Sequence, residues 1–206
     1  MSSSPTQDSA EAVAKVMAAR RSVRSFSAAT PARGDVERII AAGLAAPYAA
    51  AMSAGNALDR RFFVLTSGSA ALGAAARAIQ SHAQKALVAP GTPAPLRARL
   101  EPVAEGRILG VGTAPYYVVV AERQGLVAPQ SLAHALENMW ILATALGLGM
   151  HLVSVTTMMG DDPAFCGALG LPVGEYALNG CAIGVPAQSP EARATLDATG
   201  VTTWLA

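Results

Sequence analysis

Apolar residues in the N-terminal region recur at helical spacing. Ala12, Val13, Val16 and Met17 follow Ser9 within two turns, and this spacing predicts a first amphipathic helix with Ser9 as its N-cap. Similar stripes along the rest of the chain predict that helix is the dominant secondary structure. The further helices are expected at residues 35–46 with Asp35 as the cap, 69–88, 95 to about 106, 131–146, and from Asp161 onward.

Short apolar runs rich in β-branched and aromatic residues separate these helices. Residues 116–120 (YYVVV) are apolar throughout, as in a central strand that is buried on both faces. Because helices outnumber strands and separate them, the pattern favours an α+β or α/β layer with a small central sheet. We expect residues 1–8 to form a flexible tail and residues 9–206 to form one domain. Other extended segments are predicted at 22–26, 62–65, 152–155 and 178–185.

The composition is poor in charge. Of the 206 residues, 52% are hydrophobic and only 14% are charged, against about 25% charged in a typical globular protein. This hydrophobicity excludes disorder over most of the chain, and the net charge of +1 argues against a nucleic-acid partner. A surface with so few charges predicts an additional buried face, most simply a homodimer interface.

No segment of the sequence is typical of secretion or membrane insertion. The first ten residues are polar, unlike a signal peptide. Residues 138–160 carry no formal charge, but Gly147 and Gly149 interrupt them, so we interpret the stretch as a buried helix followed by a strand. We therefore expect a cytoplasmic protein without a membrane partner, in which Cys166 and Cys181 are small buried side chains.

Several common functional motifs are missing from the sequence. The glycine pairs at 110–112 and 147–149 do not follow a strand and open a helix as a dinucleotide fingerprint must, so we interpret both as helix ends. His134 and Glu137 are three residues apart on one predicted helix, but a metal site needs further ligands that the sequence does not cluster with them. We expect no metal and no catalytic side chain.

Basic residues are concentrated at the end of the first predicted helix. The run Arg20-Arg21-Ser22-Val23-Arg24 places three permanent cations and a hydroxyl beside one another, and guanidinium groups match phosphate oxygens in geometry and charge. A solvated basic helix end is the other interpretation, because cations there interact favourably with the helix dipole.

Residues 20–26 (RRSVRSF) resemble the opening Arg-Arg-Ser-x-Arg-x-Phe motif of the nitroreductase family of FMN-dependent oxidoreductases. Further similarities follow in the order that the family has them, from about residue 12 to residue 205. They are the second helix ending at Pro47, the Ser-x-x-Asn turn at 53–56, the Ala-Pro-led strand at 113–120, the helix at 135–149 (ALENMWILATALGLG), and the closing segments at 169–172, 183–186 and Arg193.

The resemblance implies a fold, a cofactor and a set of contacts. The fold would be a three-layer α+β sandwich with a small, mostly antiparallel sheet between helices, in a homodimer that holds FMN at its interface. The cofactor-binding residues implied are Arg20, Arg21, Ser22 and Arg24 with Arg193 around the phosphate, and Pro47, Tyr48 and Asn56 facing the FMN of the partner subunit.

The implied reaction passes hydride from NAD(P)H through FMN to a small-molecule electron acceptor by a ping-pong mechanism. Where the family has Gln-Pro-Trp after the asparagine, this chain has Ala57-Leu58-Asp59, so contacts of that stretch are not transferred. Three alternatives stay open: another flavin reaction such as desaturation or flavin breakdown, a flavin-binding protein with negligible turnover, and an interaction module whose arginines form a basic edge.

Overall fold

Six α-helices and four β-strands make up most of the described chain. The computed structural model describes residues 7–48, 59–191 and 199–205. The helices are α1 (Gln7–Ala19), α2 (Arg33–Leu44), α3 (Ala70–Val88), α4 (Ala94–Ala104), α5 (Ala128–Ala145) and α6 (Pro163–Leu169). The strands are β1 (Arg60–Thr66), β2 (Tyr116–Arg123), β3 (Gly149–Leu152) and β4 (Tyr176–Gly184), with short 3-10 helices at Ser154–Met158 and Thr199–Val201.

The four strands form one antiparallel sheet in the order β1-β2-β4-β3. Val118 in the middle of β2 lies opposite Val64 of β1 and Cys181 of β4. The run from Tyr117 to Ala121 is fully shielded from solvent. The structure thus confirms the expected α+β class, the small antiparallel sheet and the central place of β2.

Side chains of β2 alternate between two hydrophobic cores, because successive residues of a strand point to opposite faces. Tyr117 and Val119 belong to the core formed with α3 and α6. Val118 and Val120 belong to the core formed with α2 and α5. Helices therefore cover both faces of the sheet, which confirms the three layers.

Two helices begin with a side-chain cap. The hydroxyl of Ser69 accepts a hydrogen bond from the Leu72 amide at 3.2 Å, at the start of α3. The carboxylate of Asp162 accepts from the Phe165 amide at 2.9 Å, and Pro163 occupies the first position of α6. Each bond satisfies an amide that has no partner inside its helix.

The predicted starts of α1 and α5 were each wrong by a few residues. α1 already includes Gln7, so Ser9 lies inside the helix rather than capping it, and the predicted tail overlaps the helix. α5 starts at Ala128 instead of Ser131 because Pro129, which has no amide hydrogen and a fixed φ, suits the first turn of a helix.

The predicted cap of α2 was also wrong. The N-cap is Ala32, which makes no side-chain capping bond, and Asp35 lies in the first turn. There its carboxylate is 3.3 Å from the guanidinium of Arg38. A negative charge in the first turn still interacts favourably with the helix dipole, which explains why the sequence signal fell close to the true start.

The strand predicted at 152–155 lies three residues earlier, at Gly149–Leu152, and a 3-10 helix replaces its second half. Gly149 was interpreted as part of a helix stop but belongs to β3, where it pairs with Gly184. A Cβ on Gly149 would lie 2.7 Å from Cβ of Val23. The close approach of the segment after α1 therefore requires glycine at this strand position.

Within the described residues, none of the helices has both the length and the apolar character that crossing a membrane requires. Cys166 and Cys181 are free thiols and both are buried, as expected. Burial raises the pKa of each thiol, so both remain protonated at neutral pH.

Candidate functional site

The extended segment predicted at residues 22–26 runs beside the sheet. Ser22 forms a parallel bridge with Met150 of β3, and Phe26 forms an antiparallel bridge with Pro186 just after β4. These contacts fix the arginine-rich motif next to the edge strand β3 and next to the chain that leaves β4.

A cleft of about 380 Å³ separates this segment from residues 188–191; we call it the polar cleft. It offers three serine hydroxyls and one guanidinium, which are groups that donate hydrogen bonds to anionic oxygens. Its lining residues are Ser22, Val23, Arg24, Ser25, Gln188, Ser189, Pro190 and Glu191.

A second cleft, of about 580 Å³, lies between α4 with the turn after it and the chain that follows β3; we call it the large cleft. Apolar side chains make up most of its wall, which is typical of small-molecule sites. Its lining residues are Arg24, Leu96, Arg99, Leu100, Pro102, Val103, Arg107, Ile108, Leu109, residues 151–155, Thr157 and Met158.

Arg24 lines both clefts. Its side chain is exposed, and it forms no hydrogen bond or ion pair with any residue in the described ranges. Its guanidinium is therefore available to an anion at the junction of the two clefts.

Arg21 uses its guanidinium on backbone carbonyl groups. It donates to the carbonyls of Ala18 at 2.9 Å and Arg20 at 2.8 Å, and to the carbonyl of Glu191 at 2.9 Å. The last bond joins the segment just after α1 to the segment that forms the far wall of the polar cleft. Arg21 therefore positions that wall.

Arg20 lies against α5. Its Nε is 3.1 Å from Oε1 of Glu137, and its guanidinium stacks 4.5 Å from the ring centre of Trp140. The indole of Trp140 donates to the Arg21 carbonyl at 3.0 Å. Among the described residues, Arg20 is the motif arginine that an acidic side chain already neutralises, and it lines neither cleft.

The sequence model of the nitroreductase family matches residues 17–185. The chain belongs to the nitroreductase family. No functionally curated protein matches the sequence.

Solved structures of this family share the fold. A nitroreductase with bound FMN from Bacteroides fragilis is 22% identical, with a TM-score of 0.73 over 94% of this chain and 98% of that one. A BluB-like flavoprotein from Clostridium difficile 630 is 20% identical, with a TM-score of 0.72 over 94% and 99%. An FMN- and NADPH-dependent nitroreductase from Sphigopyxis is 19% identical, with a TM-score of 0.64 over 94% and 99%.

This nitroreductase-family chain contains a buried ion pair that sequence reasoning missed. Nε of Arg60 is 2.5 Å from Oε1 of Glu122, and both side chains have 0% exposure. Arg60 also donates to the Ser131 hydroxyl at 3.0 Å and to three carbonyls at the end of α2. Those acceptors are the carbonyls of Gly43 at 2.7 Å, Ala46 at 3.0 Å and Pro47 at 2.7 Å.

The predicted site residues Pro47 and Tyr48 are held by this pair. Besides the bond to the Pro47 carbonyl, the Arg60 guanidinium lies 5.6 Å from the ring centre of Tyr48. A charged residue inside an apolar strand, as Glu122 is, was the sequence signal that could have revealed the network. Predicted contacts at Asn56 and Arg193 lie outside the described residues.

Asp59 starts the chain segment that leads into β1. Its carboxylate accepts hydrogen bonds from the Tyr176 hydroxyl at 3.0 Å, from Nε of Arg61 at 2.9 Å and from Nε of Arg123 at 2.8 Å. Burial alone would raise the pKa of Asp59, but these bonds outweigh it and hold the pKa below its usual value. Asp59 is therefore a structural anion, fixed between two arginines that flank the Tyr176 ring.

The 3-10 helix in the wall of the large cleft is tethered to the sheet through Thr156. The Thr156 hydroxyl donates to the Val153 carbonyl at 2.6 Å and accepts from the Tyr117 hydroxyl at 2.6 Å. Burial raises the pKa of Tyr117, so the phenol stays protonated and can donate. A Cβ on Gly180 would lie 2.5 Å from Oγ1 of Thr156, so this contact requires the neighbouring glycine.

The glycines at 110 and 112 do not end a helix, which corrects the sequence interpretation. α4 ends at Ala104, and Gly106 supplies the left-handed residue after it, with a φ of +85°. Gly110, with a φ of +84°, lies in the following turn, and a Cβ there would be 2.4 Å from Cβ of Ala182. The turn packs directly on β4 beneath the large cleft.

No group of three or more potential metal ligands occurs within the described residues. Glu137 of the His134–Glu137 pair binds Arg20 instead.

Proposed function

We propose that this protein binds FMN and is an NAD(P)H-dependent oxidoreductase. Bound FMN would supply the hydride chemistry, with NAD(P)H as donor and, after the nicotinamide leaves, a small organic molecule as acceptor in a ping-pong scheme. The observation that carries the proposal is the position of Arg24, an available cation at the junction of a small polar cleft and a larger apolar one.

The donors of the polar cleft fit a phosphate. Ser22, Ser25 and Ser189 offer hydroxyls and Arg24 offers a permanent charge, a combination that recognises phosphate oxygens. The large cleft is of a size and character that suits a planar aromatic ring, since ligand sites of about 300–1,000 Å³ with mostly apolar walls are usual. The nitroreductase from Bacteroides fragilis that shares the fold has bound FMN, which supports FMN as the ligand.

Each residue of the arginine motif then has a distinct role. Ser22 and Arg24 contact the phosphate, and Arg21 positions the far wall through the Glu191 carbonyl. Arg20 is already paired with Glu137, so we assign it a smaller contribution. Arg193 remains the proposed cation from the tail.

Arg24→Ala should weaken FMN binding about ten- to a hundredfold, because a charge-assisted hydrogen bond contributes about 1.5–3 kcal/mol. Titration of flavin-free protein with FMN and with riboflavin measures the effect: riboflavin has no phosphate, so its affinity should not change. Arg77→Ala, which removes an exposed arginine of α3 outside both clefts, is the matched control. Unchanged FMN affinity in Arg24→Ala would overturn the phosphate assignment.

The proposed reaction is tested on the purified protein. We expect a yellow protein whose colour is bleached by NADH or NADPH without oxygen and restored by a nitroaromatic compound. A yellow protein that neither nucleotide bleaches would be a flavin binder without this turnover. A colourless protein that does not bind added FMN would favour an interaction module.

We also propose that the protein is a homodimer in which Pro47, Tyr48 and Asn56 approach the FMN of the partner subunit. α1 has no buried residue in the single chain. Its apolar residues Val13 and Met17 are each 53% exposed. A helix with an unburied apolar stripe needs a further surface to pack against.

An apolar groove of about 430 Å³ between α1, α2 and α5 is where a second copy would bind. Val13 lines this groove, and Val13→Glu should shift the dimer toward monomer because it would bury an unpaired charge. Val88→Glu makes the same change at a valine that is 83% exposed at the end of α3 and should leave the dimer intact. Sedimentation equilibrium distinguishes the two; a monomeric wild-type protein would contradict the proposal.

A further inference from the structure

The large cleft carries more positive charge than the proposed FMN phosphate needs. Arg24, Arg99 and Arg107 line it, and the lining residues that the structure describes include no aspartate or glutamate. Since Arg24 and Ser22 are assigned to the phosphate, two guanidinium groups remain above the apolar part of the cleft. The chain as a whole has 15 basic and 14 acidic side chains, so this separation of charge is local.

Arg99 lies on the cleft-facing side of α4. Leu96, Leu100 and Val103 line the same cleft at helical spacing from one another, so Arg99 stands in an apolar stripe. Among the described residues, no carboxylate lies within ion-pair distance of Arg99.

The neighbouring arginine Arg97 has a different task. Its guanidinium donates to the carbonyls of Leu87 at 2.7 Å and Thr92 at 3.1 Å, so it closes the connection between α3 and α4. Arg107, on the turn after α4, pairs with Glu105. Unlike Arg97 and Arg107, Arg99 therefore has a guanidinium that makes no ion pair or hydrogen bond with any described residue.

The other titratable group in the cleft adds no charge at neutral pH. His151 of β3 is half-buried, and burial, followed by the nearby charge of Arg24, lowers the pKa of its imidazole. The positive potential of the cleft thus comes from arginines, which keep their charge at all relevant pH values.

We infer that the electron acceptor of this protein is a carboxylate with an apolar, aromatic-sized body, and that Arg99 binds its carboxylate. The body would lie against Leu96, Leu100 and Val103, while the guanidinium fork of Arg99 matches the two carboxylate oxygens. Arg107 contributes a second, partly neutralised charge. This inference names the acceptor class for the proposed function and rests on it.

The test compares two acceptors of nearly equal shape, 4-nitrobenzoate and 4-nitrobenzamide, on the FMN-loaded protein. In each turnover one NAD(P)H and one proton reduce the nitro group to a nitroso group and water, with NAD(P)⁺ as the other product. The wild-type protein should have the lower KM for 4-nitrobenzoate, and added salt should reduce the preference because it screens the charge.

Arg99→Gln should raise the KM for 4-nitrobenzoate about tenfold, the effect of one charge-assisted contact in a solvated cleft. The KM for 4-nitrobenzamide should stay within about twofold, since the amide makes no ion pair. Arg77→Gln, which removes the same charge from an exposed position outside the cleft, should change neither value.

A second measurement, independent of turnover, separates failure of this inference from failure of the proposed function. Calorimetry of benzoate with the purified protein should show binding that Arg99→Gln weakens. If neither NADH nor NADPH reduces the protein but benzoate still binds through Arg99, the carboxylate site is confirmed. The proposed function, and with it the role of the site in binding an electron acceptor, is then wrong. If the wild type does not prefer the carboxylate, or Arg99→Gln affects both acceptors equally, the assignment is overturned. Loss of FMN affinity in Arg99→Gln without loss of riboflavin affinity would assign Arg99 to the phosphate and also overturn it.

Discussion

Arg60→Met is expected to lower the free energy of unfolding by about 3–5 kcal/mol, because removing one partner of a buried ion pair leaves the other charge uncompensated. Both side chains are fully buried. Arg60 bonds Oε1 of Glu122, and Oε2 has no hydrogen-bond partner among the described residues. For a chain of this size the loss corresponds to a decrease in Tm of about 6–20 °C.

Arg61→Met is the matched control for this prediction. Arg61 is the next residue of the chain and pairs with Asp59 at 2.9 Å, but its side chain is 48% exposed. An exposed ion pair contributes about 0–1 kcal/mol to stability, so the Tm of Arg61→Met should decrease little. Thermal melts of both variants at one protein concentration provide the comparison; equal losses would contradict a special role for the buried pair.

A double variant tests the electrostatic origin of the effect. Arg60→Met with Glu122→Leu removes both charges, and well-packed apolar replacements of buried ion pairs are often close to neutral. The double variant should therefore be more stable than Arg60→Met alone. In the double variant, as in Arg60→Met, the Pro47 carbonyl lacks the hydrogen bond from Arg60. If Pro47 and Tyr48 face the cofactor, both variants should bind FMN more weakly than the wild type. The double variant should then regain more of its stability than of its FMN affinity.

Gly110→Ala is expected to lower the free energy of unfolding by about 2–5 kcal/mol. Holding an alanine in the left-handed conformation destabilises the fold by about 1–2 kcal/mol. Steric overlap in a packed region destabilises it by about a further 1–3 kcal/mol. The overlap is between the new methyl group and Cβ of Ala182, which would lie 2.4 Å apart. Neither atom can rotate away, because each Cβ is fixed by its backbone.

Gly112→Ala isolates the conformational part of that cost. Gly112 has the same φ of +84°, but a Cβ there would have no atom of the described residues within 4 Å. Urea unfolding should therefore show a loss of about 1–2 kcal/mol for Gly112→Ala, the price of the left-handed conformation alone. If the two variants lose the same stability, the packing of Gly110 on β4 is not as tight as the structure has it.

The two glycine variants should also differ in function. A Cβ on Gly110 would lie 3.7 Å from both His151 and Val153, which line the large cleft. Relief of the overlap must shift the turn away from β4 and alter the cleft wall, whereas Gly112 has no such neighbour. We expect a higher KM for the acceptor in Gly110→Ala only.

The arginine motif shows what local sequence can predict and what it cannot. Its composition left an anion site and a solvated basic helix end open, and the resemblance to the family implied the anion site. In the structure, Arg24 lies between two clefts. Three guanidinium groups within five residues are chemically equivalent in sequence, yet Arg20 lies on Trp140 and Arg21 binds carbonyls. Their separate roles depend on α5 and on residue 191, which are more than 100 residues away along the chain.

The strand predicted at 152–155 lies instead at Gly149–Leu152, and this error also arose from contacts with distant residues. Val153 and Val155 favour a strand by their β-branched side chains, but the pairing of Gly149 with Gly184 sets the register of β3. The Thr156 hydroxyl, held by Tyr117 and the Val153 carbonyl, then turns the chain into a 3-10 helix. Hydrogen bonds to distant residues outweighed local preference.

The sequence by itself determined the alternation of helices with short apolar strands, the central place of β2 and the family, because these follow from local spacing of apolar residues and from short motifs. Only the tertiary structure decided that Arg60 and Glu122 form a buried pair, that Arg99 rather than Arg97 lines the large cleft, and that Gly110 packs on β4. Each of these depends on which distant backbone or side chain lies within a few ångströms, and a one-dimensional pattern of polarity does not contain that distance.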